Sequence, residues 1–165
     1  MAAFSRIEID GFEVFLSAGS CINCHDIFHR KVNPLGGGIA LFTDFRFHNL
    51  GVGYENGRMR DVGRFYETRR AEDWGAFKTP SLRNVSLTAP YMHDGSLATL
   101  EEVVELYDRG GTQNPNISPT LRPLFLSQYE KEALIAFLRS LTDPKLDQPT
   151  PSSQLFETNG SEGDS

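Results

Sequence analysis

The chain has 165 residues, enough for one domain with a buried core, or one domain and a tail. Its formal net charge of −6 argues against a nucleic-acid partner, since neutralising phosphates needs a basic surface. No stretch approaches the ~20 apolar residues that span a bilayer. The opening "MAAFSRIEIDGFEVFL" carries acidic residues where a signal peptide would be uniformly apolar, so the chain reads as a fragment or a processed product. The hydrophobic fraction, 39%, is low for a globular domain. A diluting tail, a loop-rich domain, or an apolar cofactor standing in for part of the core would each account for it. The 12 Phe, 15 Gly and 9 Pro fit ordered loops.

In chain order, Glu8 to Ser20 places Ile9, Phe12, Phe15 and Leu16 at helical spacing, which predicts a helix running up to a Gly-Ser break. A short helical turn from Cys21 to Phe28 follows. From Lys31 to Ala76 there is little periodicity; "NPLGGGIALF" and "HNLGVGYENG" are turn-rich. Irregular segments of that length are uncommon unless they are functional or wrap something. Thr99 and Glu102 then form a T-x-x-E capping box that starts a helix carrying Leu100, Val103, Val104 and Tyr107 on one face and ending at Gly110 and Gly111. Ser127 and Glu130 form a second box, opening a helix with Leu134, Ile135, Phe137, Leu138 and Leu141 as its buried stripe; Pro144 stops it. Residues 144–165 are rich in Ser, Pro, Asp and Gly and read as a disordered tail after one domain over 1–143. No strand-like alternation is long enough for a sheet. The fold class is all-α, with long irregular loops.

The two cysteines of the chain stand in "SCINCH", as Cys21 and Cys24, followed at once by His25. C-x-x-C-H is the attachment motif of c-type haem. On one helical turn, residues three apart project to nearly the same side, where two thiols reach the two vinyl groups of one porphyrin. The adjacent imidazole can then lie under the iron as proximal ligand. A structural disulfide would leave His25 without a role, a thioredoxin-like dithiol needs a βαβ setting, and a zinc site wants four N or S ligands where only His25, His29 and His48 are at hand. His29 suits a surface or propionate-facing position better than a ligand.

The sixth iron position could be filled by Met, His, Tyr, Lys or Cys. The chain offers Met1, Met59, Met92, His48, His93 and five Tyr, Tyr107 among them. Spacing does not choose between them. Tyr107, on an apolar helical face, is also what a plain core tyrosine looks like. Met92 lies in a Pro- and Gly-bounded loop of the kind that carries an axial Met in simple cytochromes.

The string "FKTPSLRNVSLTAPYMHDGSLATLEEVVELYDRGG", with "SCINCH" upstream and "LRPLFLSQYEKEALIAFLRSLTD" downstream, resembles the C-terminal half of bacterial di-haem cytochrome c peroxidases and MauG proteins over residues 11–143. The resemblance implies a cytochrome c-like haem domain. It places the sixth ligand at Tyr107, where the peroxidases proper carry Met and MauG-like members resemble this chain in carrying Tyr. Met92 falls on a loop position that is often Phe in relatives and stays as the alternative. A phenolate favours the oxidised iron and lowers the potential, whereas a thioether raises it. The resemblance further implies a Ca²⁺ between two haem domains, with backbone carbonyls of Thr88 and Pro90 in part of its shell; an ordered turn is the plainer reading.

Arg83 has the planar fork for a haem propionate, and loop-stabilising hydrogen bonds would equally explain Arg83, Asn84 and Lys78. His93 and Asp94 read as a local turn or haem-edge residues, His48 as structural or haem-edge. Trp74 falls in no matching motif. The family carries two C-x-x-C-H motifs; this chain has cysteines for one. The implied function is the electron-transfer half of a peroxidase or MauG-like oxidoreductase. Its implied partners are a second haem domain, hydrogen peroxide and an electron donor that is a redox protein or a quinol, on the periplasmic side where haem c is attached. A monohaem cytochrome that only carries electrons is the alternative.

Overall fold

The computed structural model describes residues 4–27, 40–144 and 146; His29, the "NPLGGG" stretch and nearly all of the expected tail lie outside them. The domain is built on helices α1 (Arg6–Leu16), α2 (Phe65–Thr68), α3 (Leu100–Asp108) and α4 (Gln128–Ser140). All three longer helices open on capping boxes, Ser5 with Glu8, Thr99 with Glu102 and Ser127 with Glu130, each satisfying backbone donors that a helix start leaves unpaired. α3 ends as expected: the Gly110 and Gly111 amides donate back to the Tyr107 and Leu106 carbonyls, and both glycines sit at positive φ.

α1 packs along α4, and of its four helically spaced apolar residues Phe12 and Phe15 reach the core. Ile9 and Leu16 are largely exposed; the buried side is Gly11, Val14 and Phe15. The reason is Gly11, where an added Cβ would lie 1.9 Å from the Ala133 carbonyl oxygen of α4. The close approach of the two backbones fixes which side of α1 turns inward. On α4 the expected stripe is buried as read, with Ala133 added to it. Phe15 has no exposed surface and meets Phe42 and Phe137 at centroid distances of 5.9 and 5.3 Å. α3 completes the core with Leu100, Val104 and Leu106.

The other elements among the described residues are two-residue strands and the 3-10 turns Cys21–Asn23, Ala71–Asp73 and Val85–Leu87. β1 (Phe47–His48) pairs antiparallel with β4 (Phe77–Lys78), His48 opposite Phe77 and Phe47 opposite Lys78. β2 (Tyr54–Glu55) and β3 (Arg58–Met59) form a hairpin over Asn56-Gly57, both with φ in the left-handed region, as a two-residue I′ turn requires. Among the described residues, loops between β1 and α3 are tied by side chains rather than ladders. Asn49, 2% exposed, is their hub: it donates to the Trp74 carbonyl and to Asn114 Oδ1 and accepts from the Gly51 amide. No helix among the described residues is long and apolar enough to cross a membrane.

Candidate functional site

α1 stops at Leu16, and the Gly19 amide folds back onto the Val14 carbonyl at 2.8 Å. Ser20 then turns through the left-handed region into a 3-10 turn, Cys21–Asn23. The turn is closed by the Cys24 and His25 amides, which both donate to the Cys21 carbonyl. The cysteines are thus one turn apart with free thiols. Burial pushes the Cys21 thiol up to about 12; burial and the neighbouring Asp44 carboxylate push Cys24 up to about 11. Both are neutral thiols at ordinary pH.

His25 is buried, and its Nδ1 donates to the Phe42 carbonyl at 2.8 Å. A carbonyl only accepts, so the ring proton is fixed on Nδ1 and Nε2 keeps its lone pair. Burial, the largest influence, lowers the His25 pKa against the Phe42 carbonyl and Asp44. The acceptor is itself held firmly. Phe42 is 6% exposed at φ +54°, a left-handed conformation costing a bulky residue about 1–2 kcal/mol, and its ring is locked between Phe15 and Phe137.

Two adjoining apolar cavities meet at this turn. The larger, about 370 Å³, is of ligand-pocket size. The smaller is about 100 Å³. Cys24, His25 and Tyr107 line both; Cys21 lines the smaller and Met92 the larger. Tyr107 projects from α3, and burial together with the two cysteines pushes its phenol pKa well up. It stays protonated unless a cation reaches its oxygen. Cys21, Cys24, His25 and Tyr107 are therefore the groups that could hold a cofactor here, with Met92 on the wall of the larger chamber.

No protein-family model matches the sequence. The chain is 35% identical to the cytochrome-c peroxidase IdrP1 of Denitromonas iodatirespirans, over 88% of this chain and 45% of that protein. It is 36% identical to the methylamine utilization protein MauG of Methylorubrum extorquens, over 79% of this chain and 33% of that one. A solved MauG-like protein associated with microbial copper homeostasis superposes with a TM-score of 0.72 at 32% identity, covering 88% of this chain and 49% of that structure. The chain aligns to the di-haem cytochrome-c peroxidase and MauG family. It spans about half the length of these relatives or less. Its fold is the cytochrome c-like haem domain of that family, mostly helical with long loops.

Within this family fold the other sequence-marked residues divide. His48, Lys78, Thr88, Pro90 and His93 line the larger cavity. His93 stacks on Phe77 with centroids 3.5 Å apart, while the Asp94 carboxylate caps the Ser96 amide, so "MHDG" is both a turn and a cavity wall. Among the described residues, Lys78 is the one Lys or Arg on that wall. Arg83 lines neither cavity; its Nε donates to the Ala40 carbonyl at 2.8 Å. Trp74 meets Tyr54 edge-on at 6.0 Å.

Sequence reading missed Asp44. Its amide donates to the Cys24 carbonyl and its carboxylate accepts from His48 Nε2, both at 2.8 Å. Burial works against the Asp44 charge, but bonds from His48, the Arg46 amide and Thr79 outweigh it and hold the carboxyl below its usual range. Phe42 was missed as well. Nothing in an aperiodic loop marks which carbonyl will turn toward a distant imidazole.

Proposed function

We propose that this chain is a haem c-binding oxidoreductase domain, the electron-transfer half of a di-haem peroxidase or MauG-like enzyme. The observation that carries the reading is convergence: two free thiols, an imidazole with its Nε2 lone pair kept free, and a buried phenol all face one apolar cavity of about 370 Å³ and its annex. These residues fit a covalently held haem, which when bound supplies one-electron redox chemistry.

Each residue then has a defined task. Cys21 and Cys24 would hold the porphyrin covalently, each thiol giving its sulfur and its hydrogen across one vinyl group. His25 offers Nε2 as proximal ligand while Phe42 holds the proton on Nδ1 and fixes the ring plane. Tyr107, which lines both cavities, would be the chain's second iron ligand, and its phenolate would favour the oxidised state. The apolar walls from Leu82, Val103 and Leu138 exclude water. Lys78 supplies a positive charge at the wall for a propionate.

In the assembled enzyme the peroxide-handling haem would belong to a second domain or chain. Electrons would come from a redox protein or a quinol, and the site of action would be periplasmic. Thr88 and Pro90 would give carbonyls to a Ca²⁺ shared with that second domain. The test is to express the chain with c-haem maturation and record its mass, its reduced-minus-oxidised spectrum and its peroxide turnover. One covalent haem with negligible turnover is expected. No covalent haem would overturn the cofactor; rapid turnover by the chain alone would overturn the relay role and a simple carrier alike.

A further inference from the structure

We propose that Cys24, Asp44 and His48 form a binding site for one zinc-class divalent ion in the haem-free chain. One sulfur, one carboxylate oxygen and one ring nitrogen of these residues lie within 4.8 Å of one another. All three side chains are partly buried, so this is no solvated surface cluster. Each member is tethered separately. Cys24 closes the 3-10 turn, Asp44 is pinned by its amide to the Cys24 carbonyl, and His48 is fixed in β1 by pairing with Phe77.

The donor set selects the ion. One thiolate with one imidazole and one carboxylate suits a borderline-soft ion, as three protein ligands that leave a fourth position open. Zinc sits about 2.3 Å from sulfur and 2.0–2.2 Å from nitrogen or oxygen, so tetrahedral ligand atoms stand roughly 3.3–3.8 Å apart. From the present spacing the sulfur closes on the pair by about 1 Å, while the His48–Asp44 hydrogen bond, now 2.8 Å, opens as the ion takes the place of its proton. Cys24 and His48 both line the larger cavity, which opens the fourth position to water. On binding, the thiol proton leaves Cys24. The ring proton of His48 moves from Nε2, where it bonds Asp44, to Nδ1, and frees the Nε2 lone pair for the ion.

A consequence follows that rests on the haem reading. A sulfur held by metal is not free to add to a vinyl group, so the ion and the second thioether compete for Cys24, while Cys21 lies outside the cluster. The ion would keep the thiol reduced and positioned until haem arrives.

The test titrates the full haem-free chain with Co²⁺ under reductant, following the sulfur-to-cobalt charge-transfer band and the intense visible bands of tetrahedral cobalt. One equivalent should saturate both. Cys24→Ser should abolish the charge-transfer band, Asp44→Asn and His48→Gln should weaken affinity at least about tenfold, and Cys21→Ser should leave the band in place. Circular dichroism of each variant separates lost ligation from lost fold. A band that survives in D44N and H48Q but vanishes in C21S would assign the metal to the two cysteines alone and overturn the proposal, as would no band at all. Covalent haem incorporation is measured separately, so cobalt binding can fail while the haem reading stands, and the reverse.

Discussion

Phe15 and Asn49 are the two largest side chains buried to below 2% exposure or at it, and they are held in opposite ways. Phe15 is locked by rings and aliphatic chains from α1, α4 and the Phe42 segment. Asn49 is locked by hydrogen bonds to Gly51, Trp74, Asn114 and Ser118, all in loops. The helical side is stabilised by removing apolar area from water, and the loop side by hydrogen-bonding its buried polar groups, with Arg64 Nε the exception, held only by the Asp73 carboxylate at 3.4 Å. The cavity lies where the two meet, with His25 bonded to Phe42, whose ring belongs to the first region and whose backbone leads into the second.

Removing the ring of Phe15 should produce the largest effect. Phe15→Ala should cost about 3–5 kcal/mol and lower unfolding midpoints measured by circular dichroism for the whole domain. Asn49→Ala should cost about 3 kcal/mol, since it strands several buried partners at roughly 1–3 kcal/mol each. Its signature should be local: hydrogen exchange should speed up at residues 49–51 and 112–118 while α4 amides stay protected. Equal acceleration in α4 would mean that the two regions open as one unit, and the comparison would collapse.

These two regions were unequally legible in sequence. The capping boxes and apolar spacing located α3 and α4, because caps and burial act within one turn of each residue. On α1 the apolar spacing gives no sign of Gly11, which adds no hydrophobicity yet sets the approach to Ala133. The C-x-x-C-H turn was legible because its chemistry is local. Met92 and Tyr107 could not be separated by spacing, and the fold places both on the larger cavity, with Tyr107 alone of the two reaching the smaller one. Asp44 and Asn49 were invisible, since the contacts that place them, Asp44 to Cys24 and Asn49 to Trp74 and Asn114, reach across long stretches of chain and loops carry no period to reveal them.

Tyr107→Met sharpens the contrast on the helical wall of the cavity. Exchanging a phenolate for a thioether should raise the reduction potential of the haem-loaded chain on the order of 0.1 V or more, read in a redox titration. An unchanged potential would pass the axial role to Met92, on the loop side.

The smallest effect distinguishes two cations of the loop side. Lys78 lines the larger cavity, with its ammonium bonded to the Thr79 carbonyl and lying 4.9 Å from the Phe45 ring centre. Arg83 is exposed and already engaged with Ala40 and the Phe42 ring. Removing a positive charge near the haem stabilises the oxidised, more positive state. Lys78 is itself exposed, so Lys78→Gln should lower the potential by the equivalent of a few tenths of a kcal/mol, on the order of 10 mV. Arg83→Gln should leave the potential nearly unchanged, because Arg83 lines neither cavity and its charge is screened by water. It should loosen the 40–42 segment instead, seen as faster exchange of the amides around Phe42. A larger potential shift in R83Q than in K78Q would move the propionate to Arg83 and require the loop carrying Ala40 to release it.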